Sequence, residues 1–309
     1  MMGLAVCLFV VTICLLAPVY AHDIAHVNAF ASNLQGTTII NGKRILVLQN
    51  NTQGLGFGVT PIGPTWNFSH YFLGSDNQGR DVFARLLYGG RNSLLIGTSS
   101  AILCCAAAAV LGVVAGYFGG PIDWVLSRIF DIVWAFPIYL LAISLSVVLL
   151  TSGLNLGPVH VGPGSLLLPI FIIAAVFVPY VARPLRGIVI SLREREFIQA
   201  AIGSGASDLR ILWKEVLPNV APSIIVFLPL MVAFDMLTES ALSFLSIGVQ
   251  PPAASWGTII NDGLGLLYTR PWVAIAPGIM IVITAVSLNI LGDGARDAFD
   301  PKAKLRGSI

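Results

Sequence analysis

Charge is scarce in this chain: Asp, Glu, Lys and Arg make up 10% of its 309 residues, where a soluble domain needs roughly 25% to cover its surface. That shortage excludes an ordinary water-soluble globule and points to lipid as the solvent. There is no basic tract and no block of like charge, and the net charge is +2, so nucleic acid has no electrostatic footprint here. Cysteine is rare too. Cys7, Cys14, Cys104 and Cys105 all lie in apolar runs without zinc-type spacing, which excludes a disulfide framework and reads as small apolar side chains in helices. His-Glu-x-x-His, Gly-x-Ser-x-Gly and Cys-x-x-Cys are all missing, so enzymatic chemistry has no candidate nucleophile or metal site. Gly36, Gly42 and Lys43 faintly suggest a phosphate loop, but five residues separate the glycines and Arg44 follows the lysine. A true phosphate loop has four and then Ser or Thr, so no ATP site is expected on this chain.

What the chain has instead is 56% hydrophobic residues, gathered into runs near the ~20 that one membrane crossing requires. About six spans are predicted: Gly3 to Tyr20, Ser93 to Phe118, Ile132 to Leu150, Leu166 to Val181 with a continuation toward Ile190, Ala221 to Leu245, and Trp272 to Leu291. The stretches between them are polar, and residues 117–131 read as a short link opened by Gly119-Gly120-Pro121. The expected fold class is an all-α polytopic membrane protein. Gly112 and Gly116 form a GxxxG pair beside Ala106 to Ala109, a pattern that lets helices approach closely in lipid.

Orientation follows from the positive-inside rule. With a cytoplasmic amino terminus, the inside loops hold Arg128, Arg183, Arg186, Arg193, Arg195, Arg210, Lys214, Arg296, Lys302, Lys304 and Arg306. The outside positives lie mostly in one long loop, where the rule weakens. Both termini are therefore expected in the cytoplasm. The division is then residues 1–21 as the first span and 22–91 as an extracytoplasmic segment. Residues 92–295 form a core of five spans, and 296–309 a tail. The rival for the first span is a cleaved signal peptide ending near Val19-Tyr20-Ala21, but the positive n-region is missing and the apolar run is too long. The run starts abruptly, and a few cytoplasmic residues are expected upstream of it.

The stretch 193–219 is the most informative. Arg193-Glu194-Arg195-Glu196-Phe197-Ile198-Gln199-Ala200-Ala201 leads to Gly203 and Gly205, then Ala206-Ser207-Asp208, then Leu217-Pro218-Asn219. Two helical pieces with a break are predicted. The glycines end the first, Ser207 or Asp208 caps the second, and Pro218 ends that one. Leu209, Ile211, Leu212 and Trp213 give the second piece an apolar face. On a cytoplasmic surface such a face suits either a protein partner or lipid headgroups.

This segment resembles the coupling motif of ABC-importer permeases: Glu-Ala-Ala, three residues, Gly, nine residues, Ile, one residue, Leu-Pro. Ala200, Ala201, Gly205, Leu217 and Pro218 match, while Gln199 replaces the Glu and Glu215 the Ile. Further segments are similar to the dipeptide/oligopeptide/nickel branch of that family, and to its second, "C-type" permease. They are Leu73-Gly74-Ser75-Asp76 with Gly79-Arg80-Asp81-Val82-Phe83 and Arg85-Leu86, then Gly116-Tyr117-Phe118-Gly119-Gly120, Ser243-Phe244-Leu245 with Gly248-Val249-Gln250-Pro251-Pro252 and Ser255-Trp256-Gly257, and Leu291-Gly292-Asp293-Gly294 with Arg296-Asp297 and Asp300-Pro301. The resemblance spans about residues 70–303, and residues 22–69 look like a lineage-specific insertion.

The resemblance implies a permease that pairs with a homologous partner permease, two ATPase subunits and an extracytoplasmic substrate-binding protein. ATP and Mg would sit on the ATPases, with no cofactor on this chain. The loop holding Gln199, Ala200, Ala201, Gly205, Ala206, Ser207, Asp208, Leu209, Ile211, Leu212, Leu217 and Pro218 would dock on an ATPase. The expected solute is a short peptide or something chemically similar, carried across the cytoplasmic (inner) membrane of a prokaryote by alternating access.

Asp235 and Glu239 lie within the fifth span, four apart and so on one helix face. A carboxylate facing lipid costs roughly 3 kcal/mol, so the pair must face protein or a water-filled path. It reads either as a translocation-pathway pair that meets a cationic group or as an interhelical hydrogen bond. The runner-up function, a proton-coupled secondary transporter, would use the same two residues as a relay, but the inverted repeat of such carriers is not visible. His22 and His26 with Asp23 are too few for a metal site and read as interfacial polar residues.

Overall fold

The computed structural model describes residues 2–40, 43–50, 58–156 and 159–299. The second glycine of the phosphate-loop-like pattern, Gly42, lies outside these residues, as do Asp300-Pro301 and the basic tail residues Lys302, Lys304 and Arg306.

The chain opens with α1 (Met2–Leu15), which bends by 42° into the short α2 (Ala17–Val19) and a widened, π-type turn, Tyr20–Ile24. Two antiparallel pairs follow: β1 (Thr37–Ile40) with β2 (Lys43–Leu46), Thr37 opposite Leu46, and β3 (Leu48–Asn50) with β4 (Val59–Pro61), Leu48 opposite Pro61. Sequence reading leaves 22–69 without structure. Here Val47, Ile62 and Tyr71 bury together to give it a small core of its own. Residues 17–29 pack Ala17, Tyr20, Ala21, Ala25 and Ala29 onto Ala84 and Leu87.

The helical body begins with α3 (Val82–Phe118), eleven residues before the expected start at Ser93. Asp81 fixes that start, its side chain accepting from the Ala84 amide at 2.8 Å. Next come α4 (Gly120–Ala135) and α5 (Ile138–Ser152), which meet at 90°. Residues 117–131 are therefore not a short link, and the third span is not a straight run from Ile132 to Leu150. Pro137 lacks an amide hydrogen and holds Phe136 extended, so the apolar run breaks there. A third hairpin, β5 (Leu154–Leu156) with β6 (Val159–Val161), leads to α6 (Leu167–Arg193). That helix continues through Pro179 and Pro184, well past Val181.

Two short helices, α7 (Glu196–Gly203) and α8 (Asp208–Ile211), precede a π-type widening at Leu212–Val216 and then α9 (Leu217–Phe244). Pro218 does not end a helix as expected. It stands in the first turn of α9, and the widened turn before it absorbs the missing amide and the bulk of its ring. The chain finishes with α10 (Trp256–Gly263), a 3₁₀ turn at Leu264–Leu266, and α11 (Trp272–Phe299).

Helices α3, α6, α9 and α11 are each long and apolar enough to cross a membrane. Counting the bent pairs α1–α2 and α4–α5 brings the total to six among the described residues. One core joins them, with Ile96, Cys104, Ile173, Leu185, Met231, Met236 and Trp256 fully buried. All four cysteines are free, and three are buried. The GxxxG pair does pack helices: a side chain at Gly112 or Gly116 would collide with the Ala182 or Arg186 carbonyl on α6. Small hairpins aside, the fold is the all-helical one expected from composition.

Candidate functional site

The two ends of α3 carry different chemistry. At its amino-terminal end, loop residues 74–81 and α10 come together. Asp76 Oδ2 accepts from Arg80 Nε at 2.6 Å, and Arg80 Nη2 and Arg85 Nη2 both donate to Asp262 Oδ2, at 2.9 and 2.8 Å. Arg85 is 2% exposed, and its Nε and Nη1 have no acceptor among the described residues. Two buried cations thus face the buried Asp76 and the partly exposed Asp262, the pairing that makes buried arginine tolerable. Burial pushes the Asp262 carboxyl above its usual range against the pull of Arg85 and Arg80. It pushes the Asp81 carboxyl up to about 6, although the Ala84 and Tyr71 amides both donate to it. A cavity of about 490 Å³ adjoins the cluster, with Gln78, Gln250, Asn261 and Thr258 among Phe30, Pro251 and Pro252 on its walls.

Just below, Ser93 Oγ donates to Glu239 Oε2 at 2.8 Å and accepts from the Trp256 amide at 3.1 Å. Ser243 Oγ donates to Glu239 Oε1 at 2.7 Å and accepts from the Val249 amide at 3.0 Å. Glu239 therefore ties α3, α9 and the approach to α10 into one network. The Trp256 indole adds a bond to the Leu86 carbonyl at 3.0 Å, and Asn92 one to the Ala254 carbonyl at 2.7 Å. Asp235, one turn earlier on α9, is also fully buried, but neither carboxyl oxygen has a hydrogen-bond partner among the described residues.

At the carboxyl-terminal end of α3 lies the segment 193–219. The predicted break between two helical pieces is present. Gly205 takes φ +76°, the Gly205 amide donates to the Ile202 carbonyl, and the Ala206 amide donates to the Ala201 carbonyl. That bond pattern closes a helix with a left-handed residue. The expected cap on the second piece differs. Ser207 holds the capping position with extended backbone but makes no side-chain bond to it. Asp208 Oδ1 instead accepts from the Tyr117 hydroxyl of α3 at 2.8 Å.

The apolar face also divides. Ile211 is buried and Leu212 half-buried against the bundle, whereas Leu209 and Trp213 stand 70% and 68% exposed. Gln199, Ala200, Ser207 and Pro218 are exposed, and Ala201, Ala206 and Leu217 half-buried. A groove of about 270 Å³ runs between α7 and α8, past Ala201, Gly205, Arg210 and Glu215.

In the sequence Asp76, Arg80, Arg85, Ser243 and Trp256 stand out only as residues that match the family's segments. Nothing there pairs them, because Asp262 lies 177 positions from Arg85. Their signal was charge placed at the edge of an apolar run. Among the described residues His22 contacts Asp23 and no other carboxylate, and no group of three potential metal ligands occurs.

The fold is shared with a chain of the MetNI methionine ABC transporter, solved in inward-facing conformations. The TM-score is 0.54 at 19% identity, over 71% of this chain and 98% of that one. Sequence relatives are closer. A dipeptide transport system permease protein of Alkalihalophilus pseudofirmus is 41% identical over 236 residues, 76% of this chain and 73% of the relative. A putative peptide transport system permease protein of Brucella abortus is 38% identical over 237 residues, covering 77% and 75%. A glutathione transport system permease protein of Pectobacterium atrosepticum is 37% identical, covering 76% and 74%. Residues 108–305 match the binding-protein-dependent transport system inner membrane component family. That match takes in the segment 193–219, α9 and α11, and with the relatives' coverage it establishes that this chain is a multi-pass inner-membrane permease subunit of that family, an ABC importer component and not itself an enzyme.

Proposed function

We propose that the chain carries short peptides or chemically similar solutes inward, in a complex with a homologous permease, two ATPase subunits and a substrate-binding protein. Peptide or glutathione transport in the names of relatives 37–41% identical supports the solute class. The orientation, with both termini in the cytoplasm, rests on the placement of Lys and Arg. It puts 22–91 and α10 outside and 193–219 inside.

The observation that carries the reading is the exposed pair Leu209, on α8, and Trp213, in the widened turn after it, at the bundle's end. Two large apolar side chains displayed next to a rigid, glycine-closed turn suit a groove on an ATPase subunit. ATP would act only by stabilising one of two permease conformations over the other. In this reading Gln199, Ala200, Ala201, Gly205, Ala206, Ser207, Asp208, Leu209, Ile211, Leu212, Leu217 and Pro218 make up the docking element. Ile211, Leu212 and Leu217 hold it to the bundle, and Leu209 with the turn presents it.

Of the carboxylate pair, Asp235 supports the pathway role better, because its oxygens are unpaired while hydroxyls satisfy Glu239. Both are sealed in the single subunit, so that role requires α3 and α9 to part during the cycle. Joint replacement of Asp235 and Glu239 by Ala cuts uptake more than assembly. Normal uptake by that double variant would remove the pair from the pathway.

The test of the whole reading is affinity capture of tagged protein from its native membrane, followed by an ATPase assay of the eluate. ATPase activity accompanies the wild-type chain and is lost when Ala201, Gly205 and Asp208 are each replaced by a bulky or charge-reversed residue. A chain that comes down alone, from membranes that still take up solute, overturns it and returns attention to proton coupling.

A further inference from the structure

The segment 196–211 is held to the bundle mainly by apolar side chains, the fully buried Ile198 and Ile211. Helix α8 runs through the widened turn 212–216 into α9, which holds its carboxyl-terminal end, but at its amino-terminal end and along α7 apolar contact alone is non-directional. One side-chain hydrogen bond among the described residues joins this segment to a helix remote in sequence: Tyr117 Oη to Asp208 Oδ1, 2.8 Å across 91 positions. A hydrogen bond to a carboxylate is both directional and strong for its kind. Tyr117 itself is firmly placed. It is 6% exposed, belongs to the main core, and meets the Phe118 ring edge-on at 5.2 Å.

Tyr117 stands in the last turn of an uninterrupted helix of 37 residues with no proline, about 55 Å long at 1.5 Å per residue. At the other end of that helix lie the polar links to α10: Arg85 to Asp262, Leu86 to the Trp256 indole, Ser93 to the Trp256 amide, and Asn92 to the Ala254 carbonyl. Thus α3 has a directional attachment at both ends, to α8 at one and to α10 at the other.

We infer that Tyr117 is the positioning residue that passes displacement of the docking element to α3, and through α3 to α10 at the far mouth of the permease. This rests on the proposed docking of 193–219 to an ATPase. Loss of the Tyr117 hydroxyl leaves ATP hydrolysis running while α3 no longer follows it, so the two activities separate.

The experiment uses the complete transporter in proteoliposomes, with its own ATPases and binding protein, and measures solute uptake and ATP hydrolysis in the same vesicles. Tyr117→Phe keeps the ring and its packing. Its uptake falls roughly tenfold, the scale of one lost charge-assisted hydrogen bond, while hydrolysis stays within about twofold, so ATP spent per solute rises. Asp208→Ala lowers uptake as well, and since Asp208 belongs to the docking element its hydrolysis is not held to the wild-type level. Asp208→Asn, which keeps an acceptor oxygen, lies nearer wild type than Asp208→Ala. The double variant Tyr117→Phe with Asp208→Ala is no worse than the poorer single one, because both remove one bond. A wild-type ratio in Tyr117→Phe overturns the inference. So does a parallel fall of both activities with a lowered unfolding temperature, which marks a merely structural bond. Failure of the docking proposal looks different, since then no ATPase accompanies even the wild-type chain.

Discussion

The two ends of α3 differ in how much freedom the chain keeps there. At the α10 end, charges are paired, hydroxyls are shared, and glycines are pressed against backbone. A side chain at Gly257 would land on the Ser240 carbonyl, and one at Gly263 on the Ala274 amide. At the α8 end, Gly203 and Gly205 have open space around them, and Leu209 and Trp213 face outward. One end is finished within the subunit, and the other presents surface awaiting a partner. A type of substitution that unfolds the first should therefore be borne by the second. The contrast also suggests why the family's recognisable segments cluster at both ends: at one they close the subunit, at the other they meet what lies beyond it.

The strongest way to break this contrast is Arg85→Ala. It strips a 2%-exposed cation from Asp76 and Asp262; because Arg80 still pairs with both and Asp262 is partly exposed, the loss falls at the lower end of the about 3–5 kcal/mol that breaking a buried charge pair costs. Thermal unfolding of the purified protein in detergent should shift down sharply and the membrane yield should fall. Replacing both Arg85 by Met and Asp262 by Asn should recover part of the loss, since it removes charge from both sides. An unchanged unfolding temperature in Arg85→Ala would show that the cluster does not hold α10 to α3.

Next in size is Gly257→Ala. The added methyl meets the backbone of α9 rather than a movable side chain, and overpacking of that kind costs about 1–3 kcal/mol. Unfolding temperature reads it, as does faster hydrogen exchange in α10. A smaller effect is expected for Gly205→Ala, where the room is ample but φ is +76°, a region that costs an L-residue about 1 kcal/mol or more. Global unfolding should barely move. The loss should show in the ATPase captured with the chain, because the turn that aims α8 is distorted. A Gly205→Ala protein as destabilised as Gly257→Ala would erase the distinction between the ends.

Much of this was legible in the sequence. The scarcity of charge and the lengths of the apolar runs gave the membrane-spanning character and about six spans, the GxxxG pair marked a face of α3 for close helix packing, and Gly203 and Gly205 gave the break in segment 193–219. Other features were not legible, for identifiable reasons. Helix α4 carries Asp123, Arg128 and Asp131 and so reads as a link by hydropathy. It is nevertheless helical, with Arg186 and Arg183 of α6 bonded to Asp123 and Asp131. Pro218 looked like a stop because proline breaks a regular helix, and no propensity reveals that a π-type widening at 212–216 takes up the strain. The pairing of Arg80 and Arg85 with Asp262 depends on α10 folding back beside α3, a tertiary fact with no local trace. Tyr117 appeared only inside a matching stretch of aromatic and glycine residues, and its hydroxyl acquires meaning when Asp208 is seen opposite it.

The finest probe of the contrast is Gly203→Ala. Gly203 is the last residue of α7, has no positive φ, and would place a methyl in open space. Alanine there narrows the unfolded ensemble and favours the helix by about 0.5–1 kcal/mol. Slower hydrogen exchange in the last turn of α7 is the expected readout, with global unfolding unchanged because Gly203 is exposed and touches nothing in the core. The same methyl would also be a small obstacle on the surface that the docking proposal turns toward an ATPase. If the exchange slows as predicted while the captured ATPase falls, Gly203 lies within the contact, and the open space around it belongs to the partner. If both exchange and capture behave as in an isolated surface helix, the contact is confined to Leu209, Trp213 and the Gly205 turn.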